Sequence, residues 1–316
     1  LSYILKSFCP QTYAGIFTKK TGMNRFGLIS QVLRGYWMLL PEEVIANSIL
    51  VSNLLSHGQP ANTGTILSDQ KPMAESVSDS GSGYSEAEEN SVAIISMSGT
   101  MVKYGTMCSY GTEEVAEMIT RAADSENISA IVFVMDSPGG SIDAIPPLSD
   151  AIGYSRKKGK PVVALCDGCA SAAYWVATCC DRIVAGNDLS ARFGSIGVMC
   201  SFADAQPFYE KQGYKFHEIY SDYSQDKNKV FNLALEGKYD LIKEEHLNPL
   251  ALRFQETVKT NRPSLDISVP GILSGKMFWA AEALKHGMID EIGSLERAVE
   301  LAREVLDEYT INSYLN

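Results

Sequence analysis

Histidine is scarce, cationic charge is outnumbered, and no apolar run is long and clean enough to cross a bilayer. The 316-residue chain has four His, and 27 Lys and Arg stand against 38 Asp and Glu, for a formal net charge of −11. Such an acidic balance disfavours broad nucleic-acid or anionic-membrane partners, because phosphate contacts need a cationic face. Charged residues make up 21% and hydrophobic residues 45%, which excludes collagen-like, coiled-coil and wholly disordered classes and leaves room for a large core. At roughly 150 residues per domain, the length is that of about two domains.

Two stretches imitate membrane spans. Val44 to Ser56 is short and interrupted by Asn47, Ser48, Ser52 and Asn53. Pro161 to Cys180 has the length of a span, yet Asp167, Gly168 and Ser171 sit in its middle, so a strand, a turn and a buried helix start explain it better. Leu1 to Lys20 has basic residues without the apolar stretch and small-residue cleavage site of a secretory signal. A soluble, cytoplasmic protein without an integral membrane span is expected. The seven cysteines, at 9, 108, 166, 169, 179, 180 and 200, are odd in number and lack a disulfide-framework spacing. A reducing compartment and buried thiols follow. Cys166-x-x-Cys169 before Cys179-Cys180 invites a zinc reading, but its apolar, small-residue setting suits buried thiols better, and no metal is expected.

Residues 1–56 read as an N-terminal helical extension, with Pro41, Glu42 and Glu43 suited to a first helical turn. Residues 57–90, rich in Gly, Ser, Pro and acids, read as a flexible linker that cannot bury enough apolar surface to fold alone. Residues 91–310 carry the dense pattern of a third unit. Strands are expected at Val92–Ile95, Ile131–Met135, Val162–Leu165 and Arg182–Ala185, and helices at Glu113–Ala123, from the Gly139-Gly140 turn to Lys157, and at Ala170–Thr178. This alternation implies βαβ units and an α/β fold with a mainly parallel sheet. A further strand is expected at Phe216–Tyr220, a long helix at Tyr239–Thr260 and an amphipathic helix at Leu295–Leu306.

Two strand-to-helix corners offer chemistry. Asp136-Ser137-Pro138-Gly139-Gly140 follows a buried strand, and its amides suit a phosphate, a carboxylate or a developing oxyanion; an ordinary glycine corner is the simpler reading of it alone. Gly168-Cys169-Ala170-Ser171-Ala172-Ala173 places a serine where a helix opens. By itself it reads as an N-cap; a nucleophile held among local amides is the alternative. His57, His246 and His286 lie in linker, charged-helix and helix-end contexts that point to surface roles, and His217 falls in the expected strand. A lysine can replace histidine as the base if desolvation lowers its pKa.

These corners, with Asp181-Arg182-Ile183-Val184-Ala185, Gly194-Ser195-Ile196-Gly197-Val198, Leu273-Ser274-Gly275 and Ala283–Gly293, resemble in order and spacing the successive blocks of signal peptide peptidase A-type serine peptidases. The resemblance runs from about Ser91 to Leu306 and implies the Clp protease/crotonase-like fold of repeated ββα units, a Ser-Lys dyad and no cofactor. It puts Ser171 at the nucleophile, although Ala172 and Ala173 stand where the block usually continues Gly-Gly or Ala-Gly. Gly139 and Gly140 fall on the oxyanion turn, with the Gly140 amide favoured and that of Ala172 as second donor. Without a gap the lysine position falls on Gln225; a two-residue insertion puts Lys227 there, with Lys229 as alternate.

Gly35-Tyr36-Trp37-Met38-Leu39-Leu40-Pro41-Glu42 is similar to the short stretch preceding the protease domain in phage prohead relatives, though an ordinary amphipathic helix explains it equally. The resemblance thus points to a polypeptide substrate such as phage scaffold or capsid proteins, to the bacterial cytoplasm or phage prohead, and to a homo-oligomer. Apolar residues on the 239–260 helix are candidates for self-association or for core packing. Alternatives are a signal-peptide-degrading peptidase, an inactive assembly protein of the same fold, and an acyl-CoA enzyme of the crotonase type.

Overall fold

The computed structural model describes residues 36–38, 84, 87–105, 110–202, 204 and 206–315. The expected N-terminal helices within 1–56 lie outside these residues, and so does most of the linker. What is described there is a short strand, β1 (Tyr36–Met38). Along the chain, β2 (Ser91–Ser98) and α1 (Thr112–Asp124) lead to β3 (Ile128–Ser137), the two-residue β4 (Gly140–Ser141) and α2 (Ile145–Lys157). Next come β5 (Val162–Ala170), α3 (Ala172–Thr178), β6 (Arg182–Ala185), β7 (Arg192–Gly194) and β8 (Met199–Cys200). Two short helices follow, α4 (Gln206–Lys211) and α5 (Lys229–Leu235), then α6 (Asn248–Asn261), β9 (Met277–Trp279), α7 (Ala280–Lys285), β10 (Glu291–Ile292) and α8 (Leu295–Leu315).

The main sheet has the order β10-β6-β5-β3-β2, and every neighbouring pair in it is parallel. A parallel sheet must be covered on both faces, which explains the unbroken apolar run of its central strands. Ile131, Val132, Phe133 and Met135 of β3 are all fully buried. On one face, Ile131 and Phe133 join Val115 and Ile119 of α1, Leu148 and Ile152 of α2, and Tyr174 of α3. On the other, Ala298, Leu301 and Ala302 of α8 meet Ala130, Val132, Val163 and Val184. Each large side chain so buried contributes roughly 1.5–3 kcal/mol. The start of α1 is fixed locally: the Gly111 N–H donates to Glu114 Oε2 at 2.9 Å, and Glu113 and Glu114 face the positive end of the helix.

Three expectations change. The strand expected to end at Leu165 continues to Ala170, because Gly168–Ala170 pair with Arg192–Gly194 of β7 and Ser137 with Cys169. The 239–260 helix is broken into a turn at Asp240–Ile242, a π-helical stretch at Lys243–Leu247, and α6. Pro249 has no N–H to give to the carbonyl four residues back, so the regular ladder lapses there. Residues 216–220 form neither strand nor helix and are exposed along their length; among the described residues no strand pairs with them.

Candidate active site

The site lies at the carboxyl ends of β3 and β5, where open parallel sheets bind ligands. Ser171 joins β5 to α3 with φ 54° and ψ −119°. That conformation is costly for a residue with a Cβ, on the order of 1–3 kcal/mol, and strain of this kind gathers at functional positions. The same strand–serine–helix corner is the geometry of a nucleophile elbow. Here the Ser171 N–H donates to the Gly194 carbonyl at 2.8 Å, which holds the bend. Gly194 can accept because its own φ of 127° is open to glycine, and a Cβ there would lie 2.4 Å from the Lys276 carbonyl oxygen. Ser171 is 1% exposed. Ser171 occupies the N-cap position of α3, but its hydroxyl makes no capping bond to the helix.

Beside it runs the glycine turn. Gly139 has φ 100°, and its N–H donates to Ser137 Oγ at 3.2 Å. Met101 clamps the turn from outside: its N–H donates to the Gly139 carbonyl at 2.8 Å, and its carbonyl accepts the Ser141 N–H at 2.9 Å. A Cβ on Gly140 would fall 2.0 Å from that Met101 oxygen, so no larger residue fits. The Gly139 amide is thus engaged by Ser137; of the two expected oxyanion donors, Gly140 is paired with Met38 of β1 and Ala172 opens α3. Met101 was not singled out from the sequence, and Gly194 only as the first residue of a block; each acts through its backbone, which carries no residue-type signal.

Behind the elbow, α3 is anchored. The Tyr174 hydroxyl donates to the Met288 carbonyl at 2.9 Å, tying the serine corner to the Ala283–Gly293 block, and burial pushes its pKa up. Trp175 stacks on Phe254 of α6 with ring centroids 4.8 Å apart. Arg262 reaches Asp290 through two hydrogen bonds of 2.7 and 2.8 Å and closes the same corner.

The two lysines are elsewhere. Lys227 is exposed, and Lys229 is paired to Asp226 at 3.0 Å. Among the described residues, no hydrogen bond or ion pair links either lysine to Ser171. Both ride on an arm, residues 201–239, in which nearly every described residue is solvent-facing. Cys166, Cys169 and Cys180 are buried free thiols, with burial raising the pKa of Cys166 and Cys180. Among the described residues, no group of three or more His, Cys, Asp or Glu is arranged to hold a metal ion, and no helix is long and apolar enough to cross a membrane.

Residues 154–308, which include Ser171 and both lysines, match peptidase family S49. This stretch is similar to the peptidases of that family. Protease 4 of Haemophilus influenzae is 24% identical over 231 residues, covering 69% of this chain and 35% of that protein. Capsid assembly protease C of Escherichia phage lambda is 26% identical over 228 residues, covering 69% of this chain and 50% of that one. The chloroplastic serine protease SPPA of Arabidopsis thaliana is 28% identical, over 67% of this chain and 32% of its own. The chain therefore spans half or less of these relatives' lengths. Among solved structures, a lysine-to-alanine mutant of the 1510-N membrane-bound stomatin-specific protease with a substrate peptide overlaps 65% of this chain and 76% of its own, at a TM-score of 0.43 and 15% identity. An enoyl-CoA hydratase from Polaromonas overlaps 71% of this chain and 75% of its own at 0.38 and 15% identity. Both overlaps are partial, and the fold described above stands on its own sheet topology.

Proposed function

We propose that this chain is a serine endopeptidase in which Ser171 is the nucleophile and Lys227 the general base, with Lys229 as alternate. The observation that carries the reading is the buried, left-handed elbow at Ser171 beside the Gly139-Gly140 turn. Neutral Lys227 takes the hydroxyl proton, and Ser171 Oγ attacks the substrate carbonyl carbon. The Gly140 and Ala172 amides hold the oxyanion, a contribution of about 2.7–4 kcal/mol per donor in comparable chemistry. Lys227 then protonates the leaving amine, and water releases the acyl-enzyme.

For this the ammonium must lose its solvent. The arm that carries Lys227 displays Phe208, Tyr209, Tyr214, Phe216, Ile219 and Tyr223 to solvent, an apolar surface of the kind that marks an association face. In this reading a second copy covers the arm, desolvates Lys227 and brings it to a Ser171. The proposed substrates are phage scaffold or capsid proteins, with the prohead or host cytoplasm as the place of action; the likeness to a phage capsid assembly protease supports that branch. The likeness to a putative signal peptide peptidase SppA of Enterococcus faecium supports a second reading, a peptidase for signal peptides. A fluorophosphonate probe on the full chain, with Ser171→Ala as control, tests the nucleophile: labelling at Ser171 alone is expected, and equal labelling of the variant overturns the proposal. Parallel digests of a phage scaffold protein and a synthetic signal peptide separate the two substrate readings.

A further inference from the structure

The strand β1 sits in a particular place. It pairs antiparallel with β4 on one side, in the register Trp37 to Ser141 and Met38 to Gly140, and with β8 on the other, in the register Tyr36 to Cys200 and Trp37 to Met199. The order of this small sheet is β4-β1-β8, so among the described residues β4 and β8 are joined through β1 alone. Without β1 the two would face each other across a gap one strand wide, about 9–10 Å by the usual strand spacing. Each would then show an unpaired backbone edge, which recruits an extended chain. One wall of the gap is Gly140 itself, whose amide is the favoured oxyanion donor, and the other follows directly on the Gly194–Val198 segment whose first residue holds Ser171.

We propose that this gap takes one extended peptide by strand addition, and that residues 36–38 of the chain are its resident occupant, an internal strand that substrate must displace. The inference rests on the peptidase reading for its consequence, regulation of Ser171, though not for the docking itself. Strand addition draws its affinity from main-chain hydrogen bonds, so a segment of this chain and a segment of a substrate compete on equal chemical terms. An occupant attached to the same chain competes at a high effective concentration. The peptidase is therefore held closed by its own N-terminal region until that strand leaves.

Register supplies the test. Antiparallel partners lie about 4.5–5.5 Å apart at Cα, inside the range a disulfide spans. Tyr36 is opposite Cys200, which is a free thiol. In the full-length Tyr36→Cys variant, mild oxidation is expected to form a 36–200 disulfide, located by peptide mapping and absent from Tyr36→Cys/Cys200→Ser. Two readouts follow, each compared before and after reduction. One is the rate of fluorophosphonate labelling at Ser171, expected to rise at least tenfold when the lock opens. The other is anisotropy of a fluorescein-labelled peptide of residues 34–41, with binding expected only in the reduced protein. No disulfide, or a disulfide that leaves both peptide binding and labelling unchanged, overturns the proposal. Peptide binding that switches with the lock while Ser171 stays unlabelled in both states upholds the competing strand and overturns the peptidase reading instead.

Discussion

Two aromatic-bearing regions of this chain are treated in opposite ways. In the sheet and its covering helices, Phe133, Tyr174, Phe193 and Phe254 are fully buried. In the 201–239 arm, Ile219 is 93% and Tyr223 98% exposed, and the ring contacts that exist, such as Phe202 with Phe231 and Tyr209 with Phe216, are among the arm's own residues. Aromatic content does not decide burial; a covering surface does. The core supplies its own cover from β-sheet and helix, whereas the arm's aromatic residues find little cover among the described residues. The proposed nucleophile belongs to the first region and the proposed base to the second, so the proposed chemistry depends on bringing the two together.

The strongest way to sharpen that contrast is Ser171→Ala. Peptide cleavage is expected to fall by at least ~10³-fold, with a melting temperature near that of the parent; retained turnover would move the nucleophile elsewhere. In the core, Phe193→Ala is expected to cost about 3–5 kcal/mol by denaturant unfolding, because a fully buried ring leaves a cavity. On the arm, Lys227→Ala is expected to lower kcat by about 10²-fold or more, with unfolding unchanged, while Lys229→Ala changes it less than about threefold; the reverse ranking makes Lys229 the base. Tyr223→Ala is expected to change unfolding by no more than about 0.5 kcal/mol yet to weaken self-association in sedimentation. An unaltered mass distribution would remove the arm as the contact face.

The smallest effect concerns Asp136, at the entrance to the glycine turn. Its Oδ1 accepts the Gly168 N–H at 3.1 Å, while burial and then the charge of Asp167 hold its pKa above the usual carboxylate value. A folded pKa above the unfolded one means the native state binds the proton more tightly. Stability from this group is therefore gained as pH falls through the raised value and lost as pH rises past it. Since the side chain is partly in solvent, Asp136→Asn is expected to stabilise at pH 7 by no more than about 0.5 kcal/mol and to flatten the acid side of the stability profile.

How much was legible follows from the range of each interaction. The run Ile131–Met135 announced a strand buried on both faces, and the helix of Thr112–Asp124 announced itself by periodicity and its opening acids. Ser171 could be picked out only through its blocks, since nothing in the letters Ala-Ser-Ala-Ala signals a φ of 54°. The extension of β5 was read as a turn because Asp167-Gly168 resembles one, and the pairing with β7 overrode it. Phe216–Tyr220 has a strand's composition but no strand to pair with among the described residues. Tyr36–Met38, read within a possible amphipathic helix, is a strand because two edges more than a hundred residues away in sequence are free to receive it.

The sequence by itself determined the alternation of strand and helix, the parallel sheet and the two corners of small residues, because hydrophobic period and glycine placement act within a few residues. Only the tertiary structure decided the strained bend at Ser171, the exposure of Lys227 and the strand laid beside Gly140. Those depend on which backbone carbonyls and sheet edges meet, and backbone groups are the same whatever side chain they carry.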